Sequence, residues 1–182
     1  MKERKRVLFV STRLIELNLR IICSKLAIRW DSSLIRILEA GEIVGCSLDD
    51  DRAAAAKLIA EIEQASSDAS VVLVEDAGIF AALGARPSSL AKMVEGIREG
   101  GKRLLLSFSS PSDPLYRHAV HAADWTAITE PVGGGFGKDV TGTMTLSRWP
   151  AGSLKAESSR ILFLTGDRTL KAFLPGGAGV YF

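Results

Sequence analysis

The chain has 182 residues, 47% of them hydrophobic and 24% charged, with 23 Lys/Arg against 21 Asp/Glu. A chain of this size most simply makes one domain, residues 1–182, which buries roughly 70% of the surface its unfolded form would expose and needs no disulfide or metal to hold it. No apolar run approaches the ~20 residues of a membrane span, so insertion into a bilayer is not expected.

The near-neutral total hides a division. Residues 1–38 carry nine Lys/Arg against three Asp/Glu, residues 39–76 carry two against ten, and the remainder twelve against eight. Basic portions attract polyanions or acidic partners, whereas the acidic portion repels nucleic acid and suits a basic neighbour. The basic start, Lys2 to Arg6, leads directly into a strand-like run too short for a signal-peptide core, and an intracellular protein is expected. Cys23 and Cys46 stand apart without a Cys or His at ligand spacing, which favours two reduced, buried thiols over a metal site or disulfide.

In chain order, Arg6 to Ser11 reads as a short buried strand. Thr12 is a fair cap for the amphipathic stretch Leu14 to Ile28. Leu34 to Leu38 and Ile43 to Cys46 are short apolar runs consistent with a second strand, or with a strand and a bent approach to it. Asp49, Asp50 and Asp51 supply a cap and negative charge for a helix whose apolar positions Ala54, Leu58, Ile62 and Ala65 recur at helical spacing. Val71 to Val74, closed by Glu75 and Asp76, is continuously apolar and reads as a strand buried on both faces of a parallel sheet. After the loose apolar segment Ala77 to Gly84, Pro87 opens a helix with Leu90, Met93, Val94 and Ile97 on one face and Gly100 and Gly101 at its end. Arg103 to Phe108 is another buried strand, and Leu115 to Ala123 a short helix. From Trp125 onward the runs Trp125 to Thr129, Val140 to Trp149, Arg160 to Thr165 and Thr169 to Leu174 alternate and are rich in Thr and aromatics, as antiparallel strands extending the sheet would be. No internal repeat or linker divides the chain.

The carboxyl ends of parallel strands are where open α/β proteins seat ligands and metal ions, which makes Glu75 and Asp76 the first candidates. An apolar strand closed by an acid holds magnesium in nucleoside triphosphatases, but only with a phosphate loop upstream. None is found. The glycine-rich stretch from Val132 to Asp139 has Val132 where a Walker A loop needs Gly, Asp139 where it needs Ser or Thr, and a strand instead of a helix after it. It fails the dinucleotide pattern too, because Gly133 and Gly135 would require a third Gly at position 138, which is Lys. The acid pair then reads as solvated or bonded to loop amides. His118 and His121 have no further ligand at metal spacing and read as helix surface, and Ser109, Ser110 and Ser112 lack a nucleophile elbow. Arg13, Arg86, Arg117 and Lys138 lie near expected loop tips with Trp30, Tyr116 and Trp125 as stacking candidates, an arrangement that suits an RNA backbone but is equally that of core or interface aromatics.

Several stretches, in this order, carry a resemblance. They are Lys5 to Ser11, the helix ending Cys23 to Ala27, the Val71 to Asp76 strand with Ala82 to Gly84 after it, and above all the loop Gly135, Phe136, Gly137, Lys138, Asp139, Val140, Thr141, Gly142 leading into a strand. Together they resemble the sixth subunit of the Elongator complex over nearly all of the chain. The resemblance implies a RecA-like three-layer α/β sandwich, with a mostly parallel sheet extended by C-terminal antiparallel strands and lacking the N-terminal phosphate-loop strand. It implies a non-catalytic subunit without cofactor or metal, cytoplasmic or also nuclear. Such a subunit joins the related fourth and fifth subunits and the complex core to support wobble-uridine modification of tRNA, with tRNA itself a partner within the assembly. On this likeness Glu75, with Asp76 beside it, takes the degenerate magnesium-acid position, and Arg86, Arg117 and Lys138 fall in loops that would face the pore or RNA. Family members begin with a further strand before the segment equivalent to Lys5 to Ser11, so its absence is expected to leave edges or apolar surface uncovered. The rival expectation is a RecA- or KaiC-type ATPase whose triphosphate is gripped by Lys138 or Arg117 across a subunit junction.

Overall fold

Short apolar runs separated by turn residues become the strands of two separate sheets. The structure, a computed structural model, describes residues 5–45, 50–132, 140–150, 156–174 and 179–181. The chain divides into two compact units, Met1–Ser24 with Arg29–His121, and Lys25–Ile28 with Ala122–Phe182.

The first unit is a parallel α/β layer. Strands β1 (Val7–Ser11), β2 (Ile35–Glu39), β3 (Val71–Val74) and β4 (Arg103–Leu106) lie in the order β2-β1-β3-β4, every neighbouring pair parallel. Helices α1 (Glu16–Lys25), α2 (Ala40–Gly45), α3 (Asp51–Ala65), α4 (Gly78–Ala82), α5 (Pro87–Glu99) and α6 (Pro114–Ala122) fill the connections. β1 is interior, paired on both sides, so the sheet has no gap between β2 and β4.

Alternation along the strands sends Leu8, Val10, Val72 and Val74 to one face, where each is fully buried. There they pack in a single core with Leu58 and Ile62 of α3 and Leu90, Met93 and Ile97 of α5. Each such side chain contributes about 1.5–3 kcal/mol by leaving water. The helices form for reasons visible in the chain. Asp50 caps α3 by accepting from the amides of Arg52 (2.9 Å) and Ala53 (3.2 Å). Pro87 occupies the opening turn of α5, and Gly101, at φ +70°, takes the left-handed turn after the helix that a residue with a Cβ would resist.

The opposite face of this sheet is different. Val7, Phe9, Val71 and Leu73 are only half-buried and Leu105 is exposed. The expectation that the β3 strand is buried on both faces is therefore corrected: one face is sealed and the other is not. The sealed face is the one covered by α3 and α5; α1, the helix joining β1 to β2, buries none of its residues and contributes nothing to that core. A second correction concerns Ile43 and Val44, which lie in helix α2 rather than in a strand and pack against the core; Cys46 lies outside the described residues.

The second unit is antiparallel. β5 (Trp125–Pro131), β6 (Gly142–Arg148), β7 (Glu157–Thr165), β8 (Leu170–Phe173) and β9 (Gly179–Tyr181) pair in sequence order. The coarse α/β class holds, but these strands do not extend the parallel sheet as expected; they form a sheet of their own. Successive antiparallel strands need only short connections to meet their neighbours in sequence, so local pairing costs least in chain entropy.

Removing the α3 cap should cost less than opening the core beneath it. Urea unfolding is expected to give about 1 kcal/mol lost for Asp50→Ala and about 3 kcal/mol for Leu58→Ala; equal losses would contradict the burial described.

Candidate functional site

Because β1 and β3 are adjacent and in register through Val10 and Val74, the residues just past their ends meet. Ser11 ends β1 and is buried, and Glu75 follows β3. The Glu75 carboxylate accepts from the Ser11 hydroxyl (3.0 Å), the Thr12 amide (2.9 Å) and the Arg13 amide (3.0 Å), all on Oε2. Ser11 Oγ in turn accepts from the Leu14 amide at 3.1 Å, so the turn out of β1 is wound around one carboxylate and one hydroxyl.

Asp76 draws in the next strand. Its Oδ2 accepts from the Arg13 guanidinium and from Ser109 Oγ (2.6 Å), and its Oδ1 accepts from the Gly78 amide at 3.0 Å. Arg13 also donates to Ser109 at 2.6 Å. The Ser107 hydroxyl, just beyond β4, donates to the Glu75 carbonyl, and the Ala77 amide reaches the Ser107 carbonyl at 2.8 Å. A side chain at Gly78 would begin 2.9 Å from Asp113 Oδ2 and 3.0 Å from Asp76 Oδ1, so one there would push those carboxylates aside. On the far side of β1, Glu39 Oε1 accepts from the Glu16 amide at 2.9 Å at the start of α1.

Both acids are held ionised. Partial burial alone would raise the Glu75 value, but the amides of Thr12 and Arg13 and the Ser11 hydroxyl outweigh it and lower it from the ordinary 4.5. Asp76 follows the same logic: burial raises it, while Ser109, the Gly78 amide and the Arg13 charge bring it below the ordinary 3.8. The Arg13 side chain is 62% exposed, so its ion pair with Asp76 adds little beyond orientation. Chemically the cluster is a clasp tying the ends of β1, β3 and β4. Each carboxylate accepts bonds from the chain's own donors, those on Glu75 all reaching Oε2.

No family model matches the chain, and no curated protein matches it.

Arg86 and Arg117, in the same unit, form none of the clasp's bonds. Arg86 is the exposed residue preceding α5 and offers that helix no side-chain cap, and Arg117 is exposed on α6. Lys138, with Gly135, Phe136 and Asp139 of the glycine-rich loop, lies outside the described residues. Gly142 opens β6 buried, and a side chain there would begin 2.5 Å from the Phe163 ring and 2.7 Å from the Glu130 carbonyl, so packing requires glycine. His118 and His121 are exposed, and no group of three metal-ligating side chains occurs among the described residues. Tyr116 stands edge-on to Phe108 with centroids 5.7 Å apart, whereas Trp30 and Trp125 each lie beneath a guanidinium, of Arg20 and Arg148 respectively. Ser11, Thr12 and Ser107 are the clasp members that sequence reasoning passed over. Their one signal is position, immediately after apolar runs that become neighbouring strands.

The pH dependence has a definite sign. Because both folded-state values are lowered, the clasp's stabilisation is complete above the ordinary carboxylate values and is lost as pH falls below 4.5 and 3.8 towards the folded values. Glu75→Gln, which keeps the shape and removes the charge, should cost about 1–3 kcal/mol at neutral pH and flatten the acid limb of a stability-against-pH curve. A variant with an unchanged acid limb would contradict the assignment.

Proposed function

We propose that this chain is a non-catalytic assembly subunit: a RecA-like scaffold that holds partner subunits in place, as the resemblance to the sixth Elongator subunit suggests. The observation that carries the reading is the state of α1. Ile15, at its entrance, and Leu17, Ile21 and Ile22 within it are each between 42% and 60% exposed, and no residue of the helix is buried. An isolated helix of ten residues is marginal in water, and a cluster of branched apolar side chains left in solvent marks a surface made to be covered.

The clasp supports the same reading from the other direction. In a nucleotide-hydrolysing site such an acid orients magnesium, whereas here Glu75 and Asp76 accept bonds from the fold's own amides and hydroxyls. On this proposal the partners are related RecA-like subunits and the complex core, the process served is modification of the wobble uridine in tRNA, and any contact with tRNA is made within the assembly.

Purification of the chain from its native source under gentle conditions should yield a particle several times the mass of one chain, with related subunits copurifying. Leu17→Glu combined with Ile21→Glu should leave the circular dichroism spectrum unchanged, because both side chains are exposed, and reduce the captured partners about tenfold or more. A native particle of one chain's mass, or capture indifferent to the double substitution, would overturn the proposal.

A further inference from the structure

Away from the clasp and from α1, helices α3 and α5 border an open groove of about 500 Å³. The α3 residues that line it are Arg52, Ala55, Ala56, Ile59, Ala60 and Glu63. This set is its own complement when the helix runs against a copy of itself. A two-fold axis through the midpoint between positions 57 and 58 sets Arg52 opposite Glu63 and Ala56 opposite the half-buried Ile59, while Ala55 borders the groove but is buried in the core. The ends then match in charge and the middle in size. Alanine at the contact lets helix axes approach to about 8 Å, and residues 52 to 63 span about 16 Å, three turns, of continuous helix.

We propose that the groove is an interface between two copies of this chain, with α3 of each copy lying antiparallel against α3 of the other. The contact is isologous, the same patch on both copies, so each favourable pair occurs twice. The α5 side contributes as well. Arg52 Cγ lies 3.7 Å from where a side chain on Gly84 would begin, which brings Arg52 to the loop end of the groove that Arg86 also lines. Glu63 of the second copy therefore meets two guanidinium-bearing residues, and among the described residues neither Arg52, Arg86 nor Glu63 forms an ion pair within its own chain. Arg52, Ala56, Ala60 and Glu63 are exposed, whereas Ala54, Ala55, Leu58 and Ile62 are already committed to the core, so the exposed stripe is free to pair without disturbing the fold. This inference does not depend on the assembly role proposed above, which uses α1.

Sedimentation velocity of the full chain over a concentration series tests it. The wild type should show a reversible monomer–dimer equilibrium. Arg52→Glu and Glu63→Arg should each weaken the dimer about tenfold or more, because each sets like charges opposite one another twice. The chain carrying both substitutions should recover most of the lost affinity, since the swap restores complementarity. Ala56→Trp, at an exposed position, should abolish the dimer while the monomer's circular dichroism is retained. A monomer at all concentrations, a dimer indifferent to the single reversals, or a double variant no better than the singles would each overturn the proposal.

Discussion

The parallel layer depends on one carboxylate. Glu75 accepts two main-chain amides and a hydroxyl from the turn that leaves β1, and the charge makes each bond stronger than its neutral counterpart. Without that acceptor, the amides of Thr12 and Arg13 would need other partners at a strand end packed between two neighbours. Asp76 repeats the arrangement towards β4 through Ser109 and Gly78, with Arg13 lying across both acids' neighbourhoods. An acid pair at the carboxyl end of a parallel strand is ordinarily where such a fold meets its ligand. In this chain the same position is taken up in joining three strands.

A second consequence follows from the unequal covering of the sheet. Parallel sheets are normally sealed on both faces, and here α3 and α5 seal one while the other is only half-buried. The molecule thus carries a complete core and, on the opposite side, apolar surface of the kind that association removes from water. The charges are divided along the chain as well. The basic first portion contains α1, and the acidic portion contains α3.

Much of the parallel layer was legible in the chain. Asp50 before a 4-and-3 spacing of Ala54, Leu58, Ile62 and Ala65 announced α3, and Pro87 announced α5, because caps and periodicity are local physics. The branched run at Val71 announced β3, but not that its second face would stay half-exposed, since burial on that side depends on tertiary packing. Ile43 and Val44 read as strand-like and became helical where the core needed them. Alternation identified β5 to β8 without saying which sheet they join, and it missed the three-residue β9. The clasp was half visible: two acids ending a buried strand mark a site, but the donors Ser11, Thr12 and Arg13 lie more than sixty residues away and are found only through strand register.

The central claim, that Glu75 is bound to the fold and not to a metal nucleotide, can be read from its own titration. Carboxyl-detected carbon-13 NMR of the full chain, assigned with Glu75→Gln, should show Glu75 titrating below its ordinary 4.5. The curve should not move when magnesium and a non-hydrolysable ATP analogue are added. Titration at or above 4.5, or a resonance that shifts on addition of the metal nucleotide, would contradict the account.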